Sequence, residues 1–135
     1  MANWILAANP KYYDHDKAFL DQGYVDWKQT RNFCVGDLVY VYCTKPIAKV
    51  KYKTVVSQTN MEPYVDKYWK IDVGQDRIGN RFMRLELVSI CNSDALSFIK
   101  LKENGMAYPP QSPFKLKENL KNYIEEVFRQ EMRYE

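Results

Sequence analysis

At 135 residues, with 46% hydrophobic side chains and a net charge of +3, the chain can build one domain with a real core, 1–135. No apolar run approaches the ~20 residues that span a bilayer, and the opening MANWILAANP lacks the basic start and apolar stretch of a signal peptide. Three widely spaced cysteines, Cys34, Cys43 and Cys91, with no Cys-x-x-Cys pair, argue for reduced thiols in a cytoplasmic protein and against a disulfide framework or zinc site.

The mild positive charge permits a polyanionic partner without demanding one. Aromatic content says more. Eleven tyrosines and three tryptophans in so short a chain exceed what one core needs, and tyrosine carries a polar tip suited to a groove or interface.

In chain order, Trp4-Ile5-Leu6-Ala7 reads as a buried strand ended by Asn9-Pro10. Asp14 can cap a short helix that runs to Gln22, with Gly23 closing it. An aromatic–polar cluster follows (Trp27, Lys28, Gln29, Thr30, Arg31, Asn32), expected to be extended or irregular. Gly36-Asp37 turns the chain into a second strand, in which Leu38, Tyr40 and Tyr42 alternate with Val39, Val41 and Cys43. After the break at Thr44-Lys45-Pro46, alternation resumes. Lys49, Lys51 and Lys53 would fall on one face, opposite Val50, Tyr52 and Thr54. Such lysines serve either as a solvated or protected strand face or as a phosphate-contacting stripe.

Residues 60–80 are irregular, polar and aromatic, with Tyr64, Tyr68 and Trp69, and Gly79-Asn80 turns into a strand over 81–90. Asp94 can cap a helix over 95–103, stopped at Asn104-Gly105. Ala107 to Pro113 reads as a rigid extended loop. The last element, a helix over 115–133, places Leu120, Tyr123, Ile124, Val127, Phe128 and Met132 at helical spacing, for packing on the sheet or for a partner. Strands separated by short helices predict an α+β domain around a small, mostly antiparallel sheet or barrel.

No catalytic motif survives inspection. The single histidine, His15, sits between Asp14 and Asp16, where consecutive residues of a helix start point in different directions, so no metal is expected. Phosphate-binding glycine loops and a nucleophile elbow are both missing, and no cofactor is implied. A reader of a flat, largely apolar ligand is the stronger class. It needs aromatic walls and a few amide or hydroxyl groups, as in the pocket that holds a flipped nucleobase. Trp27 with Gln29, Thr30 and Asn32 supplies both, and Tyr40, Tyr42 and Trp69 could add walls. Trp4, flanked by Ile5 and Leu6, suits the core.

A first strand beginning Trp4-Ile5, then Trp27 with Arg31-Asn32-Phe33, then Val35-Gly36-Asp37-Leu38-Val39-Tyr40-Val41-Tyr42, resembles the EVE domain of the PUA-like superfamily, whose relatives include the YTH and ASCH domains. The strand over 82–90, the Leu101-Lys102 helix end and the Gln111-Ser112-Pro113 loop follow in matching order, so the resemblance covers most of the chain. The opening Trp4 to Tyr13 with Val25 to Gln29 resembles the N-terminal module of modification-dependent restriction endonucleases.

The resemblance implies a PUA-like, EVE/YTH-type barrel flanked by helices and an aromatic pocket for a flipped base, such as a methylated or hydroxymethylated cytosine or a methylated adenine. Trp27 then matches the aromatic after the first helix, Tyr42 stands at a strand end, and Trp69 lies in an insertion over 60–79. The chain would be the non-catalytic reader, alone or cut from a larger nuclease, the charged stretch 129–135 suiting such a cut. The partner would be DNA, with Lys28, Arg31, Lys49, Lys51 and Lys53 on its phosphates. RNA binding and protein interaction are the alternatives, and no membrane is involved.

Overall fold

A computed structural model describes residues 1–72 and 81–132. The turn expected at Gly79-Asn80, the side chain of Met132 and position 133, the expected end of the last helix, lie outside the described residues. Six strands and three helices follow in the order β1 (Asn3–Ala8), α1 (His15–Gln22), β2 (Tyr24–Lys28), β3 (Leu38–Cys43), β4 (Lys49–Met61), β5 (Phe82–Ile90), α2 (Phe98–Glu103), β6 (Phe114–Lys115) and α3 (Glu118–Met132). One mixed sheet takes all six strands in the order β2-β5-β4-β3-β1-β6. β1 and β3 run parallel, whereas every other pairing is antiparallel. The expected barrel is therefore present as an unclosed sheet, with β2 and β6 at its edges.

Local chemistry accounts for the element ends. Asp14 caps α1, its Oδ1 accepting the Lys17 amide at 3.1 Å, and Gly23 ends it at φ +80°. The cluster over 27–32, expected to be extended or irregular, is extended at its start: residues 24–28 form β2, because Val25 and Trp27 find antiparallel partners in Leu85 and Met83 of β5. The helix expected over 95–103 is broken in two. Ser93 caps a 3-10 turn at Asp94–Leu96, and Ser97 caps α2. Residues 114–115, assigned from sequence partly to the last helix, instead pair with Ile5 and Trp4 as β6.

Each face of the sheet carries its own apolar cluster. On one, Ile5, Tyr40, Tyr42 and Val50 pack against Leu96, Leu101 and the Ile124 and Phe128 of α3. On the other, Leu6, Val41, Tyr52 and Met83 meet Phe19 of α1, Phe33 and Tyr68. A bulge in the β3–β4 pairing, where Val41 opposes Tyr52 but Tyr42 opposes Val50, shifts β4 by one residue. That shift sends Val50 and Tyr52, which simple alternation would put together, to opposite sides. The turn before β3 is held by Asp37. Its buried carboxylate accepts from the amides of Ala2 (3.0 Å) and Cys34 (2.9 Å) and from the Trp4 indole (3.0 Å), so Trp4 is a core residue, 5% exposed.

Candidate functional site

On the α1 face of the sheet a cleft of about 250 Å³ opens between Trp27 and Trp69. The β1–α1 loop supplies Asn9, Tyr12 and Tyr13; α1 begins with His15; β2 adds Val25, Asp26, Trp27 and Lys28; Phe82 opens β5. Trp27 reaches the cleft because β2 alternates, with Val25 and Trp27 on the same side. Trp69 arrives from 42 residues beyond Trp27 and is strapped down by backbone bonds. Tyr13 and Trp69 form an isolated bridge, Asp14 N–H donates to Tyr68 O at 2.9 Å, and Lys70 N–H donates to Tyr12 O at 2.8 Å. Asp66 completes the strap, accepting from the Tyr13 hydroxyl at 2.6 Å and the Tyr68 amide at 2.9 Å. The rings interlock: Trp69 meets Tyr13 edge-on at 5.1 Å, His15 lies 4.8 Å from Tyr13, and Trp27 lies 5.3 Å from His15. Such walls stand ready before any ligand arrives.

The polar groups of the cleft are few. Burial above all holds the His15 imidazole down to about 4, with Lys70 adding to it and Asp16 and Asp14 opposing, so at neutral pH it is an uncharged group able both to donate and to accept. Asp26 is buried and spent on neighbours: Arg84 grips it with two bonds, at 2.8 and 3.1 Å, and the Tyr64 hydroxyl donates a third. Burial and Asp66 push the Tyr13 hydroxyl up, and burial and Asp26 do the same for Tyr64, so both phenols keep their protons. Asn9 Oδ1 takes the Lys11 amide at 3.0 Å. The cleft thus offers flat apolar walls with a few polar groups in its lining, among them the His15 imidazole, the Asn9 side-chain amide, the Tyr12 hydroxyl and the Lys28 ammonium.

Of the residues singled out from sequence, Trp27, Lys28 and Trp69 come together here. Tyr40 and Tyr42 do not. They are buried, at 0% and 2% exposed, on the opposite face, where Tyr40 packs 5.7 Å from Phe128; the strand that bears them points its tyrosines at α3. Gln29 is turned away, its Oε1 accepting the Asn60 amide at 2.9 Å, while Thr30 and Asn32 are exposed and outside the lining. Arg31 folds back on the Thr30 carbonyl at 2.9 Å.

The lysines of β4 do not form a one-face stripe either. Lys49 pairs with Asp94 (3.3 Å), Lys51 with Asp16 of α1 (2.9 Å) and Lys53 with Glu125 of α3 (3.0 Å), three carboxylates from three elements on both sides of the sheet. Each ammonium is already neutralised, and the bulge breaks their common facing. Sequence reasoning missed Tyr12, Tyr13, His15, Asp26 and Phe82. A usable signal was present in Tyr12-Tyr13, two aromatics directly before a cap residue. The α1 start turns Tyr13 and His15 back toward β2.

Comparison with solved structures places the architecture. The chain superposes on ASCH from Zymomonas mobilis with a TM-score of 0.59 at 12% identity, over 93% of this chain and 95% of that one. A Rhodopseudomonas palustris protein gives 0.65 at 12% identity, over 96% and 94%, and the DUF55 domain of human thymocyte nuclear protein 1 gives 0.62 at 9% identity, over 93% and 98%. The fold is PUA-like. No protein-family model and no curated protein sequence matches the chain. Among the described residues no helix is long and apolar enough to cross a membrane, and no group of three His, Cys, Asp or Glu residues could hold a metal ion.

Proposed function

We propose that the protein is a non-catalytic nucleic-acid-binding module that reads a modified base in DNA, accepting it, flipped from the helix, between Trp27 and Trp69. One observation carries the reading: a preorganised aromatic cleft of about 250 Å³ with uncharged edge-reading groups. That volume lies just under the ~300–1,000 Å³ of pockets for drug-sized ligands and suits a single base. Stacking of a base on an aromatic ring is worth about 1–3 kcal/mol, and a buried methyl group adds about 0.8 kcal/mol, near a fourfold preference for the methylated base. The PUA-like fold agrees with this class of partner, and a restriction nuclease, fused or associated, is the effector such a reader would serve.

The test is binding to short duplexes carrying cytosine, 5-methylcytosine, 5-hydroxymethylcytosine or N6-methyladenine, with RNA of the same sequence as competitor, at two salt concentrations. A preferred modified duplex, whose preference disappears in Trp27→Ala with an affinity loss of about 5- to 150-fold, is expected. Equal binding to all duplexes, or discrimination that survives Trp27→Ala, would refute base reading in this cleft. Tighter binding of RNA would move the partner from DNA to RNA.

A further inference from the structure

Resting on that nucleic-acid reading, we propose that a second depression, which shares Trp69 with the aromatic cleft, seats the phosphodiester backbone of the strand whose base is read. It measures about 220 Å³ and is lined by Asp14, Lys17, Lys67, Tyr68, Trp69 and Lys70. Three lysines therefore line a depression that shares one wall of the cleft, whereas the lysines of β4 are each matched to a carboxylate. Among the described residues Lys17, Lys67 and Lys70 form no ion pair. Lys67 lies over the Tyr68 ring at 5.5 Å, and Lys70 Nζ donates to the Pro10 carbonyl at 2.8 Å.

The acids nearby are already engaged. Asp14, the one carboxylate of the lining, accepts from the Lys17 amide through Oδ1 at 3.1 Å, Asp66 accepts from the Tyr13 hydroxyl and the Tyr68 amide, and Asp21 accepts from the Tyr68 hydroxyl at 3.2 Å. Asp66 and Asp21 thus brace the strap, while Lys17, Lys67 and Lys70 are exposed and outnumber the single carboxylate of the lining, the positive balance that a phosphate group requires. Geometry supplies the rest. A base stacked against Trp69 carries its own phosphates within one nucleotide of that ring, and the depression has the same residue in its lining. The strap 66–70 then holds a base-stacking wall and the backbone cradle as one rigid piece.

The experiment compares wild type, the Lys67→Ala/Lys70→Ala double variant and a Lys51→Ala/Lys53→Ala control, titrated with plain and modified duplexes from about 50 to 200 mM salt. All three are first checked for equal thermal unfolding. Loss of two phosphate contacts should lower affinity for both duplexes by about tenfold and flatten the salt slope by about 1.8, leaving the modified-to-plain ratio unchanged. The control should keep the wild-type slope. A wild type that binds with a salt slope which the Lys67/Lys70 variant retains would overturn the subsite and leave the reader standing. A wild type that binds neither duplex at low salt would overturn both. A variant that loses the modified-to-plain ratio instead of the slope would place these lysines in base recognition and overturn the phosphate assignment.

Discussion

Asp26 and Arg84, behind the cleft, are unequal partners, and the inequality can be measured. The Asp26 side chain is 1% exposed and that of Arg84 28%. Replacing Arg84 by Met keeps the stem length but strips two charge-assisted bonds from a buried carboxylate, which is left with the Tyr64 hydroxyl alone. Orphaning one charge of a buried pair costs about 3–5 kcal/mol. Asp26→Ala instead frees a guanidinium that already reaches water and still lies 3.8 Å over the Tyr24 ring, a contact worth about 0.5–1 kcal/mol. Its loss should be about 1–2 kcal/mol, since the cation can rehydrate. The Arg84→Met variant should therefore be less stable than Asp26→Ala by roughly 2 kcal/mol, near 8 °C in Tm for a domain of this size. Urea unfolding with equal m-values would report it. Equal losses, or a larger loss for Asp26→Ala, would show that the carboxylate is not the desolvated member and that Asp26 is available to a ligand.

Asp37→Ala leaves the Ala2 and Cys34 amides and the Trp4 indole without their acceptor, which should cost about 3 kcal/mol in chemical denaturation; a loss below about 1 kcal/mol would mean that water replaces the carboxylate there. His15 predicts acid sensitivity. Its folded value of about 4 lies below the ordinary 6.5, so the unfolded chain binds the proton more tightly. The His15 contribution is complete above pH 6.5 and is lost as pH falls toward 4, by up to about 3 kcal/mol. His15→Phe should flatten stability across that window, and an unchanged profile would refute a buried neutral imidazole. Gly36→Ala should cost only about 1–2 kcal/mol in the same assay: φ is +95°, but the Met1 Sδ that a Cβ would meet at 2.7 Å belongs to an exposed side chain free to swing away, and a loss above about 3 kcal/mol would show it is not.

What the sequence revealed follows the range of the forces involved. Capping and glycine signals act within a few residues, so α1, with Asp14 before it and Gly23 after, was legible to the residue. Pairing acts at a distance, so the Trp27 cluster read only as extended or irregular until Met83 and Leu85 were placed beside it as partners of β2, and the two-residue β6 left no periodic mark. Tyr40 and Tyr42 show the limit for the site. Alternation correctly put them on one face, but nothing local said that this face lies under α3. The same holds for Lys49, Lys51 and Lys53, whose partners sit 45, 35 and 72 residues away. Trp27 could be singled out because polar neighbours flanked it, a local signal for a half-buried ring.

The uneven cover of the sheet explains why a cleft exists where it does. One face receives a 15-residue helix, α3, whose Leu120, Ile124, Val127 and Phe128 close over the tyrosines. The other receives the shorter, 8-residue α1, which buries Ala18 and Phe19 and sets His15 against Trp27 of β2, leaving a gap beside that ring. Were the gap a packing shortfall alone, the cheapest remedy would be an aliphatic residue at 27 and a loose 66–70 segment. Instead the chain commits Asp66 and the two backbone bonds of the Tyr13–Trp69 bridge to hold a second tryptophan in the same lining, with the His15 and Tyr13 rings linking the two and the Asp26 carboxylate neutralised by Arg84. Side chains so restrained lose little entropy when a flat ligand enters, so the binding energy of the walls goes into affinity instead of ordering. Cutting the strap with Asp66→Ala, which leaves both tryptophans in place, should therefore weaken ligand binding through disorder of Trp69 alone, visible as a loss of its fluorescence anisotropy before any loss of fold.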